Sequence, residues 1–81
     1  MTNVWVGVID HRQGTDLYAS ATEAGIWAQL AAWVREQWPD CGPDETMPED
    51  NFELVDAYFE FQSERGDEWR RVEEIPLEGS P

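Results

Sequence analysis

The chain has 81 residues, and its 18 acidic residues against five basic ones give a net charge of −13. Such a surface argues against direct binding to nucleic acid or anionic lipid, because both need basic side chains that replace counterions. Hydrophobic residues make up 41% of the sequence and aromatic residues 12%, which predicts a folded core rather than a disordered acidic tail. We therefore expect residues 1–81 to form a single small acidic domain.

A β-hairpin is predicted at the start of the chain. Residues 4–9 read Val-Trp-Val-Gly-Val-Ile, an apolar, β-branched run that is typical of a buried strand. Residues 11–15 form a predicted turn in which Gly14 can take a positive φ. Residues 17–21 are then expected to return as the second strand.

A long amphipathic helix follows the hairpin. Either Ser20, in a capping box with Glu23, or Thr22 can cap its start, and we expect Pro39 to end it. Its apolar positions recur at helical spacing and are Ile26, Leu30, Trp33 and Val34, widened by Trp27, Ala31 and Trp38. We interpret each of the five tryptophans of the chain as a core residue, the alternative being that one or two are exposed interface anchors.

A second helix and a last strand complete the predicted elements. After a linker over residues 39–48, Thr46 and Glu49 match a capping box, and Pro48 suits the first turn of the helix. Gly66 is a plausible left-handed stop. The apolar face of this helix, between the capping box and Gly66, comprises Phe52, Leu54, Val55, Tyr58, Phe59 and Phe61. Residues 69–74 alternate in character as a strand does, with Pro76 at its end or at a sheet edge.

The element order β-β-α-α-β predicts an α+β fold. The simplest packing is a three-stranded antiparallel sheet with both helices packed on one face. A hairpin alone is marginally stable, so the helix layer and the third strand supply the missing burial.

The negative charge is concentrated in the second half. Residues 39–81 hold fourteen of the acids and three of the arginines, a net of −11. Five of these acids are separated by steps of 4, 3, 4 and 4 residues, and they are Glu49, Glu53, Asp56, Glu60 and Glu64. These steps place carboxylates on one side of a helix, where the row resembles a dilute line of backbone phosphates. We predict that this row binds a partner, together with Asp44, Glu45 and Asp50; the alternative is an acidic surface that serves only solubility.

Catalytic and metal sites find little support in the sequence. His11 is the only histidine, and we interpret it as an exposed turn residue, so we predict no enzyme, no catalytic residue and no cofactor. The lone Cys41, interpreted as an incidental thiol in a loop, cannot complete a tetrahedral zinc site with His11. The linker acids miss the spacing of an EF-hand loop; they are Asp40, Asp44, Glu45, Glu49 and Asp50.

The compartment follows from the same features. A single cysteine cannot form an internal disulfide and points to a reducing compartment. Residues 1–10 lack the basic segment of a signal peptide, and no stretch approaches the roughly 20 apolar residues of a membrane span. We therefore expect a cytoplasmic protein that makes no contact with membranes.

A short, lysine-free, strongly acidic chain with a β-hairpin, two helices and a final strand resembles small accessory proteins of phages and other mobile genetic elements such as plasmids. Among these it is similar to the anti-CRISPR and anti-restriction proteins that act as DNA mimics. The resemblance implies an inhibitor of a Cas effector complex or a restriction enzyme in a bacterial host cytoplasm. We expect the protein to be a monomer or a homodimer. The alternative is a self-associating interaction protein, whose aromatic faces form a homodimer and whose acids keep it soluble.

Overall fold

The computed structural model describes residues 2–11, 14–66 and 68–77, and it confirms the predicted order of elements. These are β1 (Thr2–His11), β2 (Gly14–Ser20), α1 (Glu23–Cys41), α2 (Asn51–Arg65) and β3 (Trp69–Leu77). The central strand β1 pairs antiparallel with β2 on one side and with β3 on the other. The chain is therefore an α+β fold with a three-stranded sheet of order β2-β1-β3.

Both helices cover the same face of the sheet. Side chains alternate between the two faces along a strand, and Gly7 and Ile9 of β1 point to the helices. A Cβ atom added to Gly7 would lie 3.2 Å from Ile26 and Leu30 of α1, and Ile9 is fully buried. The missing side chain at position 7 thus lets α1 lie close to the sheet.

The core lies between β1 and the two helices. Each helix buries one stripe of side chains, and the stripes meet over Ile9. The buried core cluster consists of Ile9, Leu30, Ala31, Val34, Trp38, Leu54, Val55, Tyr58 and Phe59. Removal of this apolar surface from water is the main stabilising contribution that the packing provides.

The five tryptophans occupy different environments. Trp38 is buried, and Trp27 and Trp33 are half-buried against the core cluster. Trp5 is half-buried on β1. Trp69 is 50% exposed at the start of β3. The prediction that every tryptophan belongs to the core is therefore wrong for Trp69, because it lies on the face of the sheet that the helices leave uncovered.

Thr22 caps the start of α1, and it is one of the two residues that the sequence predicted for this role. The Thr22 hydroxyl accepts a hydrogen bond from the Gly25 amide at 3.0 Å, which satisfies an amide that has no partner within the helix. The Ser20 hydroxyl instead accepts from the Thr22 amide at 3.2 Å. Ser20 thus belongs to the turn that leads from β2 into the helix.

Pro39 does not end α1, contrary to the prediction. The helix continues to Cys41 with Pro39 inside its last turns. A proline there removes its own amide from the helical ladder and crowds the carbonyl of residue 35, but its fixed φ is compatible with a helix. The end is closed by the Gly42 amide, which donates to the Trp38 carbonyl at 3.0 Å. The buried Gln62 side chain of α2 also donates to the Cys41 carbonyl at 2.6 Å. Cys41 is therefore the last residue of α1 and not a loop thiol.

α2 begins later than the predicted capping box. Its N-cap is Asp50, whose carboxylate accepts a hydrogen bond from the Glu53 amide at 3.0 Å. Thr46, Pro48 and Glu49 therefore precede the helix. A carboxylate at the cap interacts favourably with the positive end of the helix dipole as well as with the amide, which favours Asp50 over Thr46.

Three predictions about glycine and proline positions are confirmed. Gly14 has a φ of 138°, and Gly66 ends α2 in the left-handed region with a φ of 72°, conformations that favour glycine. Pro76 lies within β3, opposite Asn3 of β1. Since β3 is an edge strand, a residue without an amide proton is tolerated there.

Tyr18 on β2 makes the stability of the fold depend on pH in the alkaline range. Burial raises the pKa of the Tyr18 hydroxyl above its ordinary value of 10.0, and the nearby carboxylates Asp16 and Glu36 raise it further. The folded protein therefore keeps this proton to a higher pH than the unfolded chain does. The contribution to stability is complete below pH 10.0 and is lost as the pH rises through the raised pKa.

We expect urea unfolding at pH 9, 10 and 11 to show a steeper loss of stability for the wild-type protein than for Tyr18→Phe. The chain has no lysine, so Tyr58 is the other side chain that ordinarily titrates near pH 10, and both proteins share it. Parallel pH profiles for the two proteins would contradict this assignment.

Candidate acidic binding face

Four of the predicted carboxylates form one row on α2. We call Glu53, Asp56, Glu60 and Glu64 the acidic row; all four side chains are exposed. At about 100° per residue they fall within an arc of about 80°, and the row is about 17 Å long. The buried side chains of α2 lie on the opposite side of the helix, and they are Leu54, Val55, Tyr58, Phe59 and Gln62. The row therefore points straight into solvent.

The other four predicted residues lie before the helix. Asp44, Glu45, Glu49 and Asp50 are all exposed in the segment that joins α1 to α2. Glu49 precedes the N-cap, so the expectation that it stands on the helix with the other four is wrong. One carboxylate oxygen of Asp50 is engaged by the amide of Glu53.

A shallow cleft brings Glu45 to the row. Glu45, Glu60 and Glu64 line a cleft of about 260 Å³, together with the apolar side chains of Ala57 and Phe61. Three carboxylates around an apolar floor can accept basic side chains while the aliphatic part of those side chains packs on Phe61. The structure thus joins Glu45 of the linker to the C-terminal half of the row.

A second shallow cleft, also of about 260 Å³, lies between α2 and β3. Asp56, Glu60 and Ser63 line it from the helix, and Trp69 and Arg70 line it from the strand. The acidic row is therefore a ridge with a cleft on each side. A ridge of this kind can enter a groove in another molecule.

Arg70 is the basic residue that meets the row. Its guanidinium group lies 3.4 Å from a carboxylate oxygen of Asp56 and packs over the ring of Trp27, with 5.3 Å between the Cζ atom and the ring centroid. Such partly exposed pairs contribute little to stability. The pair offsets one of the four negative charges of the row. Glu53, Glu60 and Glu64 have no basic partner among the described residues.

Two further arginines stand at the ends of α2. Arg35 donates to the Glu49 carbonyl at 3.3 Å and to the Asn51 side-chain oxygen at 2.8 Å. Arg65 packs over the ring of Phe61 at 5.5 Å. These contacts of both guanidinium groups are with groups outside the acidic row.

His11 is not the exposed turn residue that the sequence suggested. It ends β1 with a side chain that is 13% exposed, and its Nε2 atom lies 3.0 Å from a carboxylate oxygen of Asp16. Its ring also packs against Trp33 at 5.3 Å. The antiparallel register places residues 11 and 14 opposite each other, which brings His11 into the hairpin and under α1.

The linker acids do not assemble into a metal centre. Within residues 2–11, 14–66 and 68–77, no group of three or more His, Cys, Asp or Glu side chains is placed to hold a metal ion. Neither helix in this part of the chain is both long enough and apolar enough to cross a membrane.

Comparisons with protein-family models, with curated proteins and with solved structures returned no match for this chain. The interpretation of the acidic row therefore depends on its own geometry and charge.

Two features of the site escaped the sequence interpretation. Phe61 was assigned to the buried face of α2 but is half-buried beside Glu60 and Glu64. A helical wheel could have indicated this, since position 61 lies about 100° from the centre of the row and about 90° from the centre of the buried stripe, at the boundary between the two. The second feature is Glu68, which is buried and accepts a hydrogen bond from the Tyr58 hydroxyl at 2.6 Å.

Proposed function

We propose that this protein is an inhibitor that occupies the basic nucleic-acid-binding surface of a partner, as a DNA mimic of the anti-CRISPR or anti-restriction type. The partner would be a Cas effector complex or a restriction enzyme in a bacterial cytoplasm. The observation that carries the proposal is the exposed ridge of carboxylates on α2, in which, among residues 2–11, 14–66 and 68–77, Asp56 alone has a basic partner. On this proposal the protein acts by binding and performs no chemistry of its own.

The spacing of the acidic row supports this function. Successive carboxylates rise by about 4.5–6 Å along the helix axis, against about 3.4 Å for phosphates along one DNA strand. The row alone is therefore less dense than DNA. Glu45 beside Glu60 and Glu64 adds charge at one end, and a basic groove would experience several negative charges over roughly five base pairs.

The cost of the row to the helix also supports a binding role. Like charges at spacings of three and four destabilise a helix by a few tenths of a kcal/mol per pair. A surface that served solubility alone would more often alternate acids with basic residues. Asp56 to Glu60 and Glu60 to Glu64 are such repulsive pairs, so an interaction outside the chain is a reason to keep them.

The alternative of self-association through the aromatic residues of α1 finds less support. Trp33 stacks on Phe59 at 6.0 Å, Trp27 meets Phe52 edge to face at 4.8 Å, and Trp38 is buried. These rings are used within the chain. Of the rings named here Phe52 alone is exposed, at 49%, so α1 itself presents little aromatic surface to a second molecule.

Salt provides the test of the electrostatic mechanism. We expect the protein to inhibit DNA cleavage by its target, either a guide-loaded Cas effector complex or a restriction enzyme, and to compete with duplex DNA for it. The affinity of the inhibitor for the enzyme without DNA should fall at least about tenfold between 0.05 M and 0.5 M salt, because exposed charge pairs are screened. Titration calorimetry at several salt concentrations measures this.

Two results would contradict the proposal. One is an affinity that is equal at the two salt concentrations. The other is an inhibitor that binds the enzyme equally well before and after duplex DNA has filled the groove, since a mimic and DNA cannot occupy one surface together.

A further inference from the structure

The sheet has a second face that the helices leave uncovered. It carries the residues that alternate with Gly7 and Ile9 along β1, and their neighbours across the strands. We call it the open sheet face; it comprises Val4, Val6, Val8 and Asp10 of β1, Thr15, Leu17 and Ala19 of β2, and Trp69, Arg71, Glu73 and Ile75 of β3.

This face is apolar and almost uncharged in a very acidic protein. Leu17 is 73% exposed and Ile75 is 40% exposed on either side of the valines of β1. Its charged residues are Asp10, Arg71 and Glu73, a net of −1 in a chain of −13. Contiguous exposed apolar surface of this kind marks an interaction site.

We propose that a second copy of this chain covers the open sheet face, so that two sheets pack face to face in a two-fold symmetric dimer. A basic partner would be drawn to the acidic row and not to a face with little charge. For two copies that repel each other, the least charged face is the one that brings them together at the lowest electrostatic cost.

The charges on the face are complementary to themselves under a two-fold axis. Val72, Gly7 and Tyr18 are directly opposite one another across the three strands. A two-fold axis along that line, midway between the sheets, exchanges positions 71 and 73. Arg71 of each copy then lies over Glu73 of the other, which is the reciprocal pairing that a symmetric interface requires.

Within one chain Arg71 and Glu73 already pair at 2.5 Å, with side chains 66% and 46% exposed. Stacking two copies turns these two ion pairs into a network of four alternating charges. An exposed ion pair by itself has little effect, whereas a network shielded by a neighbouring sheet selects one register of the two copies.

Apolar side chains meet apolar side chains under the same axis. Val6 of one copy lies over Val8 of the other, Leu17 lies over Ala19, and Trp69 lies over Ile75. Face-to-face sheets pack about 10 Å apart and fill the space between them in this way. Asp10, which accepts a hydrogen bond from Thr15 at 3.1 Å, stays at the rim.

The size of the face predicts a weak dimer. Three strands about 4.8 Å apart and about seven residues long give a footprint of roughly 330 Å², below the roughly 800 Å² per partner of a standard interface. We expect a dissociation constant on the order of 10–100 µM. Because both copies carry a charge of −13, salt should strengthen the dimer, whereas it weakens binding to a basic partner.

The dimer and the proposed inhibitory function use different surfaces. The acidic row lies in the helix layer, on the other side of the sheet from the open sheet face. A face-to-face dimer therefore presents two acidic rows on its two outer sides. The opposite responses to salt let the failure of one proposal be distinguished from the failure of the other.

Sedimentation equilibrium from 5 to 500 µM at 0.05 M and 0.5 M salt tests the dimer. We expect a reversible monomer–dimer equilibrium that is at least about fivefold tighter at the higher salt. Leu17→Lys should weaken it at least about tenfold, because it places a charge in the apolar surface that the second copy would cover. Met47→Lys is the control, since it makes the same charge change at an exposed apolar residue away from the face and should leave the equilibrium unchanged.

Charge exchange tests the register. Arg71→Glu and Glu73→Arg should each weaken the dimer at least about tenfold, and the double variant should return to within about threefold of the wild type, because the exchange restores both the internal pair and the pair between copies. Circular dichroism should show all variants folded. Three results would overturn the proposal: a wild-type chain that stays monomeric at 500 µM, a dimer that tolerates Leu17→Lys, and a double variant whose dimer is not restored. The first of these would leave a different protein as the occupant of the face.

Discussion

A variant in which Glu53, Asp56, Glu60 and Glu64 are replaced by Gln, Asn, Gln and Gln should inhibit its target about 30-fold less well than the wild-type protein. Each exposed charge pair with the partner contributes about 0.5 kcal/mol. Four lost pairs amount to about 2 kcal/mol, which corresponds to that factor. The measurement is the half-inhibitory concentration in a DNA cleavage assay at about 0.1 M salt, where charge interactions are only partly screened.

The matched control removes the same charge from other surfaces. Glu23, Glu36, Asp40 and Glu74 are exposed and lie outside the acidic row, and their amide variants bring the net charge to the same value. The half-inhibitory concentration of this control variant should rise by less than about threefold, because distant charges affect the rate of encounter with the partner more than they affect the contacts in the complex. Equal losses in both variants would mean that net charge, and not the ridge on α2, determines inhibition.

Loss of the fold cannot explain such a result, because the row variant should unfold no more easily than the wild-type protein. Neutralising the row relieves the repulsion of like charges one turn apart, worth a few tenths of a kcal/mol per pair. It also removes the exposed pair of Asp56 with Arg70, which has a similarly small effect. An unchanged or slightly raised melting temperature together with lost inhibition would indicate that the row serves binding at some cost to the helix.

The fold was predictable because local signals agree along most of the chain. The β-branched run of residues 4–9, the helical spacing of α1 and the stop at Gly66 each specify an element without knowledge of the others. The start of α2 was missed because two capping patterns follow one another directly, one from Thr46 to Glu49 and one from Asp50 to Glu53. The end of α1 was missed because Gly42 and the distant Gln62 close the helix beyond Pro39.

The site was predictable only where spacing along one element determines it. Intervals of three and four residues are enough to align Glu53 with Glu64 on one side of a helix. The approach of Glu45 to Glu60 depends on how the linker folds back, and the pairing of Arg70 with Asp56 depends on which strand lies beside α2. Neither has a sequence signal, since contacts between separate elements follow from the packing of the whole chain.

Glu68 is the clearest example of a role that tertiary structure determines. Nothing in the sequence distinguishes it from the other seventeen acids, yet it is 7% exposed and Tyr58, which is fully buried, donates a hydrogen bond to it at 2.6 Å. The bond joins the buried side of α2 to the residue that precedes β3. The bond thus tethers the side of α2 opposite the acidic row to the start of β3.

Tyr58→Phe should therefore destabilise the protein by about 1.5–3 kcal/mol, the range for a hydrogen bond to a charged group. The ring contacts with Trp33 at 5.7 Å and Phe59 at 4.9 Å are kept, so the loss reports the hydroxyl group and the buried carboxylate that it leaves with one donor fewer. In thermal unfolding this corresponds to a fall in the melting temperature of roughly 10 °C for a domain of this size.

Tyr18→Phe at pH 7 is the matched control, because the Tyr18 hydroxyl makes no hydrogen bond within the described part of the chain, and it should change stability by less than about 0.5 kcal/mol. Glu68→Gln retains an acceptor for the Tyr58 hydroxyl and should therefore lower the free energy of unfolding by less than Tyr58→Phe does. Combining the two changes should cost less than the sum of the separate effects, since residues that share one bond are coupled. Additive losses would show that Tyr58 and Glu68 act independently, and the orientation of α2 would then depend on the apolar packing of Leu54, Val55 and Phe59 alone.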